Sequence, residues 1–153
     1  MIPVLLRDLI AAEAIALDHA GLGVLTSDAC FQLLDSVPVG RVAFLADGEV
    51  VVLPVTYATD GDSIVFRSAV GSKVSAAGFR DSVSFQADSF DPVTRSGWSV
   101  LATGVAETVL DESETAALEK LGLEPWADVV ERPFWIRIVP NSVTGRVVVR
   151  KEP

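Results

Sequence analysis

Residues 63 to 80, Ser-Ile-Val-Phe-Arg-Ser-Ala-Val-Gly-Ser-Lys-Val-Ser-Ala-Ala-Gly-Phe-Arg, hold three cations (Arg67, Lys73 and Arg80) and no acid. The whole chain carries 21 Asp and Glu against 12 Lys and Arg. The pattern is a strand ending at Ser68, a turn at Gly71 and a short helix over Ser72 to Gly78. The start of a helix offers unpaired N–H donors and a partial positive charge, so it suits a phosphate. Arg67 and Lys73 would add full charges, and Ser68 and Ser72 hydroxyl donors. Two readings fit these residues: a phosphate-binding corner, or a βα turn with two solvated cations.

The surroundings give the stretch its weight. At net charge −9 the molecule repels nucleic-acid phosphates and anionic membranes, and no basic run offsets this. An anionic ligand would need a local basic pocket, whereas nucleic acid and membrane partners are not expected. The single cysteine, Cys30, allows no internal disulfide and suits a reducing, cytoplasmic setting. It lies in an apolar helical pattern and reads as a small core residue. One histidine, His19, rules out a Cys/His zinc site within the chain. His19 is also the one histidine available to a Ser–His–Asp triad or a haem iron, in a segment that reads as a helix end. No metal site and no catalytic residue can be assigned.

With 153 residues, half of them apolar, and a mean hydropathy of +0.42, the chain suits one domain with a sizeable core. Leu5, Leu6, Leu9, Ile10 and Ala14 recur at helical spacing, which predicts an N-terminal helical extension over residues 1–22. Charged residues interrupt it, so it forms neither a membrane span nor a secretion signal. Thr26 or Ser27 caps a helix reaching about Ser36, and Val39 to Ala46 is a strand. Asp47-Gly48 and Asp60-Gly61-Asp62 mark tight turns around a strand over Glu49 to Ala58. Pro54, inside that strand, predicts a bulge, an edge or a break. Further strands are expected over 63–68, 82–88 and 98–110, the last bending at Gly104, then over 134–140 and 145–150. A helix opens at Asp111, and Pro125-Trp126 starts another turn. Tight hairpins force antiparallel neighbours, so this order suggests a closed or nearly closed antiparallel barrel with peripheral helices.

Five segments resemble the pyridoxamine 5′-phosphate oxidase-like proteins, the FMN-binding split-barrel family. They are Val37-Pro38-Val39-Gly40-Arg41-Val42-Ala43-Phe44, Val52-Leu53-Pro54-Val55-Thr56-Tyr57, residues 64–73, Gly97-Trp98-Ser99-Val100-Leu101-Ala102-Thr103-Gly104, and residues 136–146. The resemblance implies a mainly β chain, an antiparallel split β-barrel that forms a homodimer with FMN at the subunit interface. Carried over by position, Arg67, Ser68, Ser72 and Lys73 hold the flavin phosphate. Pro54, Val55 and Thr56 line the ring, and Trp98 approaches from the long strand, from the other subunit. Arg41 and Arg146 are further candidates, and Tyr57 is a core residue or a ring neighbour.

The implied function is that of an FMN-dependent oxidoreductase acting on a small, unidentified substrate. The alternatives are a non-catalytic flavin carrier or sensor, or a barrel using a deazaflavin or no cofactor. A deazaflavin with a polyglutamate tail wants a basic groove, which an acidic chain supplies poorly. The residues that would hold a second, substrate phosphate are absent, and the chain stops soon after Arg146. Oxidation of pyridoxamine phosphate is therefore not expected.

Overall fold

The computed structural model describes residues 16–69, 82–127 and 130–148. Of the helix expected over residues 1–22, residues 1–15 lie outside the described residues, and residues 16–22 are not helical: Leu17 bridges to Gly23 and the chain turns at His19 and Ala20. The Ser72–Gly78 helix, with Ser72, Lys73 and Arg80, lies outside the described residues. Eight strands and two helices follow in order: β1 (Gly23–Leu25), α1 (Ser27–Leu34), β2 (Val39–Ala46), β3 (Glu49–Thr56), β4 (Ala58–Asp60), β5 (Ser63–Ser68), β6 (Ser82–Asp91), β7 (Ser96–Val109), α2 (Glu112–Glu119) and β8 (Phe134–Val148). The strands form one antiparallel sheet in the order β3-β2-β6-β7-β8-β5-β4, with β1 pairing on β8. The sheet curls into a half-barrel of the split-barrel type, which brings the end of β3 towards β5.

Turn chemistry sets the hairpins. Asp47 and Gly48 both adopt positive φ, as a two-residue turn between Ala46 and Glu49 of the type that suits strand twist requires. Gly61 opens the β4–β5 turn in the same half of φ space. Thr26 caps α1 by accepting from the Ala29 N–H, and Asp111 caps α2 by accepting from Glu114.

Alternation along the strands sorts side chains into two layers. Val42, Phe44, Ile64, Phe66, Val83, Phe85, Trp98, Val100, Ile136 and Ile138 face inward and form the main core with α1. Tyr57 belongs to this core. Its hydroxyl donates to the Leu34 carbonyl at the end of α1 at 2.5 Å, and burial, with the Asp35 charge behind it, raises the phenol pKa. On the opposite face, Val65, Val109 and Trp135 form a second, smaller cluster covered by Leu118 of α2.

Two expectations about the strands need correction, and one resolves among its alternatives. The strand expected over Glu49 to Ala58 is two, β3 and β4, separated at Tyr57, whose side chain turns into the core. Of the bulge, edge or break that Pro54 predicts, the structure shows the edge: among the described residues β3 ends the sheet, and one side of its backbone needs no ladder partner. The last two strands are one, β8, which runs unbroken through Pro140. There the register shifts beside Gly104, and the other edge of β8 is unclaimed, since β5 pairs only as far as Ile138 and β1 only from Gly145. A bulge is where a strand tolerates proline. Gly104 is required at this point: a Cβ there would stand 2.1 Å from the Val139 carbonyl oxygen.

Asp18 fastens β1 to the barrel. Its carboxylate accepts from the Leu22 and Ala20 N–H groups at 2.9 and 2.8 Å and pairs with Arg146 of β8 at 3.0 Å. The Leu22 N–H above all, with Ala20 and Arg146 and against partial desolvation, holds its pKa below 3.8. A depressed folded value means that the contribution is complete above the unfolded value and vanishes as pH falls through the folded one. Urea midpoints measured from pH 6 to pH 3 should therefore fall at the acid end. Asp18→Asn should remove part of that slope and leave the rest of the profile unchanged.

Candidate functional site

Trp135 is where the site is anchored. In the β8 ladders it pairs with Arg67 of β5 on one side and with Val109 of β7 on the other, so all three face outward together. The Trp135 indole is 1 % exposed. Its N–H donates to Glu119 Oε1 at 2.9 Å, which ties the end of α2 to the sheet. The Arg67 guanidinium lies over the Trp135 ring, 5.4 Å from its centroid. Its Nε donates to the Arg132 carbonyl at 3.0 Å, and its Nη2 stands 3.6 Å from Glu119. A stacked, hydrogen-bonded arginine is fixed before any ligand arrives.

Arg67 lines a cavity of about 240 Å³ with Val39, Pro54, Val55, Thr56, Pro125, Trp126, Ala127 and Arg132. The curl of the sheet explains this grouping. Val39 pairs with Thr56 and Arg41 with Pro54 along the β2–β3 hairpin, which sets Val39, Pro54 and Thr56 on the outer face at one end of the edge strand. The segment after α2 crosses the gap to β5. Arg132 Nη1 staples that segment by donating to the carbonyls of Ala127 and Val130. The same arginine also lines the cavity. One end of the hollow is thus cationic and the remainder is largely apolar.

The structure brings together four of the residues expected from the sequence: Pro54, Val55, Thr56 and Arg67. Ser68 is the next residue of β5, buried on the inner face, with its hydroxyl 3.5 Å from the Ala69 carbonyl. Ser72 and Lys73 lie outside the described residues. Trp98 is a correction: it is 1 % exposed and packs in the main core. The strand parity that turns Val100 and Ala102 inward turns Trp98 inward too, so it cannot wall a ligand from the surface. Arg41 and Arg146 are also elsewhere, engaged with Gln86 and Asp88 and with Asp18 respectively.

Residues that sequence reasoning passed over are Val39, Trp126, Arg132 and Glu119. Trp126 is the clearest signal, because a tryptophan 74 % exposed in a proline-flanked segment is unusual in a core-forming role. Among the described residues no group of three or more His, Cys, Asp or Glu is placed to hold a metal ion. No helix there is long and apolar enough to cross a membrane. Because Trp98 and Trp135 are sealed, Trp126 should carry nearly all the emission that acrylamide quenches. Trp126→Phe should leave a residual fluorescence that quencher barely touches.

Comparison with known proteins places this geometry. A Mycobacterium tuberculosis protein of uncharacterised function is 34 % identical over 141 residues, covering 88 % of this chain and 86 % of that one. The FAD binding protein from Mycobacterium smegmatis is 31 % identical, with a TM-score of 0.67, over 81 % of this chain and 95 % of that one. An FAD-binding protein from Mesorhizobium loti is 25 % identical, with a TM-score of 0.68, over 84 % of this chain and 99 % of that one. The family model described as pyridoxamine 5′-phosphate oxidase matches residues 26–147, which span the sheet from β2 to the penultimate residue of β8, both helices and every described residue of the cavity. On that match, this chain belongs to the pyridoxamine 5′-phosphate oxidase family.

Proposed function

We propose that the chain binds FMN in the cavity between β3 and Arg67, as a homodimer, and serves as a flavin-dependent oxidoreductase for a small substrate. The observation that carries this reading is the cavity's two-ended character. Val39, Pro54 and Val55 on the β2–β3 hairpin offer apolar surface to a flat ring. At the other end Arg67 and Arg132 offer guanidinium groups to a phosphate. Two structural relatives at 31 and 25 % identity are FAD-binding proteins, which supports a flavin as the ligand class.

The residues fit the group in a definite division of labour. Arg67, held by Trp135 and the Arg132 carbonyl, would orient the phosphate without first having to be ordered. Among the described residues edge strand β3 has no ladder neighbour on its outer side, so main-chain groups near Pro54 to Thr56 would meet the polar rim of the ring. The apolar lining would exclude water from one face. When bound, a flavin supplies hydride and single-electron exchange. The protein's part is to bind, orient and shield it.

Two features support a second copy of the chain as the partner. A cavity of about 240 Å³ in one protomer is small beside the roughly 300–1,000 Å³ usual for such ligands. The outer face of the edge hairpin also exposes Leu45, Val50 and Val52, apolar residues continuous with Pro54 along β3. A patch of this kind marks an association surface, and pairing there would complete the cavity's wall.

Mass spectrometry of the ligand released from native protein tests the cofactor directly. Arg67→Ala should weaken FMN binding by about 1.5–3 kcal/mol, the range for a hydrogen bond to a charged group, with riboflavin binding little changed. Equal affinity of variant and parent for FMN would place the phosphate elsewhere. Val52→Arg should convert a dimer seen by light scattering into a monomer and lower flavin affinity at the same time. A monomeric parent protein would remove the composite site.

A further inference from the structure

Helix α2 carries an acid at the end where acids are least welcome. Asp111, Glu112 and Glu114 sit at its N-terminus, where the helix dipole favours negative charge. Glu119 is its last residue, no basic residue occupies that turn, and the dipole there opposes a carboxylate. What Glu119 meets in exchange is the Trp135 indole N–H at 2.9 Å and Arg67 Nη2 at 3.6 Å.

The two contacts differ in what they require. An amide oxygen would satisfy the indole N–H as well as a carboxylate does. Only the carboxylate offsets the Arg67 charge. Arg67, moreover, keeps its place through contacts that do not involve Glu119: the Arg132 carbonyl on Nε and the Trp135 ring beneath the guanidinium. The charge of Glu119 is therefore separable from the geometry of the site.

We propose that Glu119 sets the charge selectivity of the cavity: its carboxylate partly cancels Arg67 and so restrains the preference for a dianionic ligand over an uncharged one of the same shape. The inference rests on the reading of Arg67 as the anion-holding residue. Glu119 touches neither ring nor phosphate in this scheme; it acts through the field at Arg67, and a ligand of lower charge loses less by its presence. In a molecule of net charge −9 this keeps the one stacked arginine from holding every phosphate it meets.

The test compares FMN with riboflavin, which share a ring and differ by the phosphate. Glu119→Gln keeps an acceptor for Trp135 and removes the charge. FMN affinity should rise about 5- to 20-fold, the span expected for one unit charge several ångströms away at an effective dielectric constant between protein and water. Riboflavin affinity should stay within about 2-fold, and FMN binding should become more salt-sensitive. Glu119→Asp keeps the charge and shortens the reach to Trp135, and its FMN-to-riboflavin ratio should stay near that of the parent. An unchanged or lower ratio in Glu119→Gln overturns the proposal, as does an equal rise in Glu119→Asp, which would mean that packing and not charge is at work. If neither flavin binds the parent protein, the flavin reading fails separately, and inorganic phosphate replaces FMN with tryptophan fluorescence as the readout. Tighter phosphate binding by Glu119→Gln then still upholds the role of Glu119, and equal or weaker binding overturns it.

Discussion

Backbone pairing along β8 is the constraint on which the remaining architecture hangs. Its fifteen residues bond to β7 over almost their whole length, while the opposite edge is shared by β5 at the start and β1 at the end. One end of the strand therefore fixes Trp135 between Arg67 and Val109, which seats α2 and the cationic end of the cavity. The other end carries Gly145, where a Cβ would stand 2.5 Å from the Cys30 sulfur. Only glycine lets α1 lie this close to the sheet. Between the two ends the shift at Gly104 and Pro140 re-aims the strand, and a sheet that must cover a core on one face and a helix on the other needs such a bend.

Charge is distributed with the same economy. Arg41, Arg67, Arg137 and Arg146 each stand within 4.0 Å of a carboxylate, so most of the cations among the described residues are engaged locally. Such exposed pairs add little stability apiece. Arg132 differs in kind, since its Nη1 donates to main-chain carbonyls, which hold it in place without cancelling its charge. Beside Arg67 it makes the cavity a local exception to the general field.

Much of this architecture could be read from residue order, and the reasons are local. Asp47-Gly48 and Gly61 demand positive φ, which leaves tight antiparallel hairpins as the natural outcome. Alternation in Val42-Ala43-Phe44 and Val83-Ser84-Phe85 gives the inward face directly. Pro54, Val55, Thr56 and Arg67 were grouped by the family resemblance, and the curl of the sheet brings the strand ends that carry them to one cavity. What was not legible depends on distance. Whether Trp98 faces in or out turns on strand parity that a single bulge can invert, and Pro140 reads as a terminator unless the bulge opposite it is known. Trp126 and Arg132 reach the cavity, and Glu119 reaches Arg67, only because α2 and the segment after it fold back across β5, an arrangement encoded in the docking of Leu118 and Trp135 rather than in any spacing along the chain.

The meeting of Cys30 with Gly145 has a practical consequence. The sole sulfhydryl of this chain is fully buried beneath α1, so a reagent can reach it only when that helix lifts from β8. Its alkylation rate thus counts the opening events of one short helix, and the molecule carries a built-in clock for local unfolding that needs no added label.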